Sequence, residues 1–285
     1  MSVLVYPSRF FALVKFEHTI FALPFAYVGA LLAVNGVPSA HDLLWITVAM
    51  VGARSLAMGL NRLIDARLDA RNPRTAGREL PSGLLSYAQV VVFCLVSLAV
   101  FLVAVYQLSS LVQKLWPIPV AAFVIYPYLK RWTWLCHLWL GAVDGLAPIG
   151  AWAAITGTIP WEAWALGGAV ALWVAGFDLF YSLLDLEVDR TQELHSVATR
   201  FGENGAFWGA RIFHLGTVEL LIAVGFGLDV NAFYWLGVTV VAALLAYEHS
   251  LVSPGNLRRL DTAFFTMNGV ISLAFLAFVL ADVLV

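Results

Sequence analysis

The chain has 285 residues, 61% of them hydrophobic and 12% charged, with mean hydropathy +0.86 and a formal net charge of −2. Soluble domains are about a quarter charged, so this composition describes a polytopic membrane protein, read as a single domain over residues 1–285 in contact with a lipid bilayer. The near-neutral charge excludes nucleic acid as a partner. Cys94 and Cys136 both lie in apolar segments without metal or redox spacing, and they read as packing residues.

A membrane-spanning helix needs about 20 mostly apolar residues. Nine stretches qualify: 10–34, 43–64, 87–107, 110–129, 135–156, 161–184, 205–228, 231–252 and 262–284. The first contains Lys15, Glu17 and His18, which is wrong for the apolar core of a cleavable signal peptide. The second carries Arg54 in its interior. An arginine at that depth is costly, and it either faces an interior cavity or pairs with a carboxylate of the bundle.

The polar stretch N-R-L-I-D-A-R-L-D-A-R-N-P-R-T-A-G-R-E-L-P-S-G follows, from Asn61 to Gly83. Asn61, Asp65 and Asp69 recur at i, i+4, i+8 and stack on one helix face. Arg54, seven residues earlier, falls on the same face about 10 Å deeper. Paired carboxylates without neighbouring lysines suit a hard divalent cation, and the surrounding Arg62, Arg67, Arg71, Arg74 and Arg78 suit a multiply charged anion. Together they read as a site for a metal-bound phosphate or diphosphate.

The fourth span runs into Y-P-Y-L-K-R, Tyr126 to Arg131. The planar fork of Arg131 suits a carboxylate, and equally an anchor on the positive side of a membrane. The fifth carries His137, expected to make a structural contact, and Asp144 among glycines that allow close helix approach and suggest an inner wall. In the sixth, Asp178 sits within W-V-A-G-F-D-L-F-Y, where a carboxylate is expensive unless paired or working. Beyond it Asp185 and Asp189 repeat the spacing of Asp65 and Asp69 at a displacement of 120 residues (185 − 65 and 189 − 69), which predicts one shared metal site. In the later spans His214 and Glu219 read as structural contacts, and Glu248 and His249 as a solvated helix end. Trp116, Trp132, Trp134, Trp161 and Trp164 cluster near helix ends, as an interfacial belt would.

Positive charge alternates between connections. Arg62 to Arg78, Lys130 and Arg131, Arg190 and Arg200, and Arg258 and Arg259 fall on one side, whereas 35–42, 157–161 and 229–231 contain no Lys or Arg. The positive-inside rule then places the N terminus and the polar motifs in the cytoplasm and the C terminus outside. Eight helices form two four-helix halves, and the ninth is appended.

These motifs resemble the UbiA superfamily of intramembrane prenyltransferases over essentially the full length. Asn61, Asp65 and Asp69 match its first pattern, followed by R-T at Arg74–Thr75 and L-P-S-G at Leu80–Gly83; Asp178, Tyr181, Asp185 and Asp189 match its second. Arg62 departs from the usual Asp. L-H-S and W-L-G-A-V-D-G-L-A-P look like the 4-hydroxybenzoate polyprenyltransferase-like branch, which includes the futalosine type of menaquinone synthesis.

The resemblance implies an all-α bundle that transfers a polyprenyl chain from its diphosphate to an aromatic acid, 4-hydroxybenzoate or 1,4-dihydroxy-6-naphthoate, in ubiquinone or menaquinone synthesis. Mg2+ would be held by Asn61, Asp65, Asp69, Asp185 and Asp189. The diphosphate would meet Arg54, Arg74, Arg78, Lys130 and Tyr126. Asp178, Arg131 and Tyr181 would serve the acceptor and the chemistry, although Tyr126 and Tyr181 equally suit a membrane interface. Sister activities on 1,4-dihydroxy-2-naphthoate, haem or chlorophyll precursors are the near alternatives. A transporter is the distant one, disfavoured because the acidic clusters lie on one face with no matching site opposite.

Overall fold

The structure, a computed structural model, describes residues 10, 13, 19–257, 260 and 266–285. Lys15, Glu17, His18, Arg258 and Arg259 lie outside the described residues. The ordered elements among those described are helices: α1 (Thr19–Val34), α2 (Ala40–Asp69), α3 (Tyr87–Val105), α4 (Ser110–Leu115), α5 (Pro117–Leu129), α6 (Cys136–Thr156), α7 (Trp161–Ser182), α8 (Leu186–Thr191), α9 (Val197–Gly227), α10 (Ala232–Leu251) and α11 (Asn268–Val283). A 3-10 turn, Leu183–Asp185, joins α7 to α8.

Among the described residues six stretches are long and apolar enough to cross a membrane: α2, α3, α6, α9, α10, and α7 with its continuation to Thr191. Three shorter apolar helices, Ala22–Val34, Pro117–Leu129 and Asn268–Val283, occupy the remaining expected positions. The outer faces are apolar as a lipid solvent requires, with Val92, Leu95 and Val96 exposed on α3 and Ile212, Leu215 and Phe226 on α9. The chain is an integral membrane protein.

Three boundaries differ from expectation, each for a local reason. Ser39 caps α2 by accepting from the Asp42 N–H, and the helix then runs 30 residues to Asp69 instead of stopping near 64. At about 1.5 Å per residue it spans about 45 Å, well beyond a hydrocarbon layer of about 30 Å. Its last turns therefore carry Asp65 and Asp69 past the apolar layer while still on the helix. The stretch 110–129 is two helices, because Pro117 lacks the N–H to continue the ladder and instead opens α5 at its first position. The polar stretch 185–204 is largely helical: α8 occupies its start, and a capping box between Ser196 and Thr199 starts α9 eight residues before the expected span.

Helix α7 is the centre of the bundle, packed against α6 on one side and α9 on the other. Glycines set the α6–α7 distance. A Cβ on Gly141 would collide with the Ala171 carbonyl oxygen, and one on Gly145 with the Gly167 carbonyl oxygen. Backbones can approach this closely only because neither position has a side chain. Trp152, Trp173, Tyr234 and Phe275 fill the main core. Glu248 is fully buried rather than solvated, correcting the expectation of a wet helix end. The packing of α9, α10 and α11 closes over that end, and the neighbouring His249 meets His214 at 3.0 Å.

Candidate functional site

At the end of the bundle where α2, α5 and α7 give way to connections, the two acidic motifs face one polar pocket of about 200 Å3. Asn61, Asp65, Asp69, Asp185 and Asp189 all line it, together with Arg74, Arg78, Tyr126, Lys130, Asp178 and Tyr181. The 120-residue repeat thus converges in space.

Each carboxylate has its own surroundings. Asp65 is buried and accepts from Lys130 Nζ at 2.6 Å and from Arg131 Nη2 at 3.0 Å. Asp69 accepts from Arg78 Nη1 at 2.7 Å through Oδ1, while its buried Oδ2 has no partner among the described residues. Asp185 accepts from Asn72 Nδ2 at 2.8 Å and from Arg74, through Nε at 2.8 Å and through Nη2. Arg74 also donates to the Tyr181 hydroxyl at 2.8 Å and lies over its ring. One guanidinium on the loop after α2 therefore holds both motif residues at the end of α7. Burial alone would lower the Arg74 pKa, but the bonds to Asp185 and Tyr181 hold it above its usual value, so it stays charged.

The loop around Arg74 is itself built by local bonds. The Arg74 N–H donates to Asn72 Oδ1 at 2.9 Å, and the Thr75 hydroxyl donates to the Asp69 carbonyl at 2.9 Å. The His195 N–H donates to the Lys130 carbonyl at 2.7 Å, tying the second acidic segment to the turn after α5.

The donor set fits Mg2+. Asn61 and four aspartates offer only hard oxygen atoms, and Asp69 keeps one carboxylate oxygen without a protein partner. Among the described residues no three His, Cys, Asp or Glu stand close enough to hold a metal ion by themselves. Mg2+ takes one or two carboxylates plus phosphate oxygens and retained waters rather than an all-protein cage. The pocket therefore suits an ion that arrives with a phosphate ligand.

Below the polar pocket lies a cavity of about 510 Å3, lined largely by apolar side chains from α2, α3, α5, α6 and α7, including Phe101, Phe123, Trp173 and Phe177. Asn61, Arg78, Tyr126, Asp178 and Tyr181 line both spaces, so the cavity and the pocket adjoin at these five residues. Arg54 lies in the apolar cavity and not in the polar pocket, 4.0 Å from Asp144, with its buried Nε unpaired among the described residues. Arg131 lines neither space. It donates to Asp65 and to the carbonyls of Pro127 and Ile64.

Sequence reasoning singled out neither Asn72 nor the pairing of His137 with Asp178, whose Nδ1 and Oδ2 are 2.7 Å apart. Asn72 carried a signal, as a short amide inside an arginine-rich loop. His137 carried none, because its partner is 41 residues away on another helix.

The UbiA prenyltransferase family matches residues 22–278. A 4-hydroxybenzoate octaprenyltransferase of Aliivibrio fischeri (strain MJ11) is 31% identical over 247 residues, covering 86% of this chain and 85% of that protein. One of Vibrio cholerae serotype O1 is 32% identical over 226 residues, 78% of each. The apo structure of a UbiA homolog from Aeropyrum pernix K1 is similar with a TM-score of 0.84 and 30% identity, covering 93% of this chain and 98% of that one. A UbiA homolog from Archaeoglobus fulgidus, solved bound to GPP and Mg2+, shares the fold at a TM-score of 0.78 and 18% identity, over 97% of this chain and 100% of that one.

Proposed function

We propose that this chain, which belongs to the UbiA prenyltransferase family, moves a polyprenyl group from its diphosphate to an aromatic acid, 4-hydroxybenzoate or a related hydroxynaphthoate, on the way to ubiquinone or menaquinone. One observation carries the reading: a polar, acid-and-arginine pocket adjoins a large apolar cavity at five shared residues. A prenyl diphosphate has the same two-part character, and its allylic C–O bond lies where the two parts meet. The names of the bacterial relatives support 4-hydroxybenzoate and a long prenyl chain.

The chemistry asked of the site is heterolysis followed by alkylation. The C–O electron pair leaves with the diphosphate, and the allylic carbon bonds to an electron-rich ring carbon. Arg74, Arg78 and Lys130 surround the pocket that receives the departing charge, and fixed cations cost no reorganisation there. Mg2+ would be held by Asp65, Asp69, Asp185 and Asp189 with Asn61, and would supply Lewis-acid stabilisation of the leaving group. Tyr126 and Tyr181 stand at the junction and donate to the same oxygens. Trp173 and Phe177 line the apolar side, where aromatic faces shelter a cation and exclude water. Arg131, the sequence-based choice for the acceptor carboxylate, is engaged with Asp65. Arg54, a cation inside the apolar cavity beside Asp144, is better placed to meet that carboxylate.

The nine apolar helices are proposed to cross the membrane as one unit of two four-helix halves plus one, with the N terminus and the acidic loops cytoplasmic and the C terminus outside. The catalytic reading is tested by binding of a non-hydrolysable prenyl thiodiphosphate. Binding is expected to require Mg2+ and to be lost in EDTA, in Asp65→Ala and in Asp185→Ala. The double variant should lose little more activity than either single one, because residues acting as one unit are not additive. Wild-type, Mg2+-dependent affinity in Asp185→Ala would remove the second motif from the metal site.

A further inference from the structure

We infer that His137 is a positioning residue for Asp178, and that the two form a dyad that manages the acceptor's hydroxyl proton; this rests on the aromatic prenyl transfer proposed above.

His137 is 5% exposed, and its Nδ1 lies 2.7 Å from Asp178 Oδ2. An ionised carboxylate has no proton to give, so Nδ1–H donates and Asp178 accepts. The other ring nitrogen, Nε2, is buried and has no hydrogen-bond partner among the described residues. The Cys136 side chain also interacts with the imidazole, and the 2.7 Å bond to Asp178 is the hydrogen bond that ties the ring to α7.

The pairing is dictated by helix packing rather than by local sequence. Gly141 follows His137 by one turn on α6, and Asp178 lies two turns beyond Ala171 on α7, so each pair shares a helix face. The antiparallel helices touch at Gly145 with Gly167 and at Gly141 with Ala171. Continuing that register places His137 opposite Ala175, one turn short of Asp178, and the imidazole spans that turn to reach the carboxylate. The glycine contacts therefore set the distance at which the imidazole meets the carboxylate.

Position gives the pair its use. Asp178 lines both spaces, whereas His137 lines only the polar pocket. With Oδ2 held from the pocket side, Oδ1 remains for an acceptor hydroxyl. In the reaction Asp178 takes the O–H proton as a ring electron pair forms the bond from the carbon beside the hydroxyl to the allylic carbon. The C–O pair leaves on the diphosphate. The resulting dienone regains aromaticity when its ring C–H proton leaves with the diphosphate and Asp178 returns its proton to oxygen. One proton departs with each diphosphate, and the dyad is unchanged. Without His137 the carboxylate is free to turn toward the arginines of the pocket, and the hydroxyl loses its base.

The test compares wild type with His137→Leu and His137→Asn, whose amide nitrogen occupies the place of Nδ1. Three quantities are read: thiodiphosphate analogue binding, kcat with 4-hydroxybenzoate or a hydroxynaphthoate, and the ratio of alkylated ring to free prenyl alcohol. General-base contributions are about 100-fold or more. His137→Leu is expected to lower kcat roughly 100-fold and shift the partition toward prenyl alcohol, with analogue binding unchanged. His137→Asn is expected to recover kcat to within about 10-fold of wild type. Wild-type turnover and partition in His137→Leu would overturn the inference. So would loss of analogue binding in parallel with kcat, or failure of His137→Asn to improve on His137→Leu, since each marks a merely structural contact. A wild-type protein that binds the analogue and alkylates neither aromatic acid would overturn the proposed function and this inference with it.

Discussion

Arg54 and Arg131 show how two similar residues divide once their neighbours are known. Arg131 is locked by three acceptors, including Asp65, and its charge serves the acidic motif. Among the described residues Arg54 has a 4.0 Å approach to Asp144 and an Nε without a partner. A hydrogen bond to a charged group contributes about 1.5–3 kcal/mol, equivalent to roughly 10- to 100-fold in binding. Arg54→Ala should therefore raise the acceptor KM by about that factor, with Mg2+-dependent analogue binding intact. Arg131→Ala should do the reverse, weakening analogue binding by releasing Asp65. The opposite pattern in steady-state kinetics would return the acceptor role to Arg131. Asp178→Asn, which keeps the volume and removes the base, is expected to cut kcat by about 100-fold or more with both substrates still bound.

Between α6 and α7 the informative residues are those with no side chain. A valine at Gly141 would put its Cβ onto the Ala171 carbonyl oxygen, and backbone cannot swing aside as a flexible side chain can. Overpacking of this kind costs about 1–3 kcal/mol, so Gly141→Val should lower the detergent-solubilised melting temperature by several degrees. It should also reduce kcat, because the same contact sets the His137–Asp178 distance. Gly150 lies on the same helix with nothing near its missing Cβ. Gly150→Ala should therefore hold or raise the melting temperature, as Ala exceeds Gly in helix propensity by about 1 kcal/mol. Equal destabilisation by both would argue against close packing as the purpose of Gly141. Helix α2 makes a related point about length, since its extra turns carry the first acidic motif out to the polar side on a rigid support.

The whole molecule is a membrane bundle with its acidic pocket at one end, which makes orientation testable. Reporter fusions after Asn72, Arg131, His195 and Asn256 should report the cytoplasm, and fusions after Val37 and Thr158 the opposite side. Positive charge lies on the first set of connections and is missing from the second. A fusion at His195 reporting the outside would separate the two acidic motifs across the membrane and end the shared-site argument.

By itself the sequence determined the solvent, the helical architecture and the two acidic motifs. Apolar runs long enough to span a bilayer leave few other solutions for the backbone, and an i, i+4 spacing has meaning within one helix. Even the convergence of Asp65 and Asp69 with Asp185 and Asp189 was legible, because the repeat placed each motif at the same end of a helix. Tertiary structure decided what depends on which helices touch: the pairing of Arg74 with Asp185 and Tyr181, the capture of Arg131 by Asp65, the burial of Glu248 and the dyad of His137 with Asp178. None of these partners is a sequence neighbour. Each was brought into contact by tertiary packing, and between α6 and α7 the glycines set a distance that no single-helix pattern encodes.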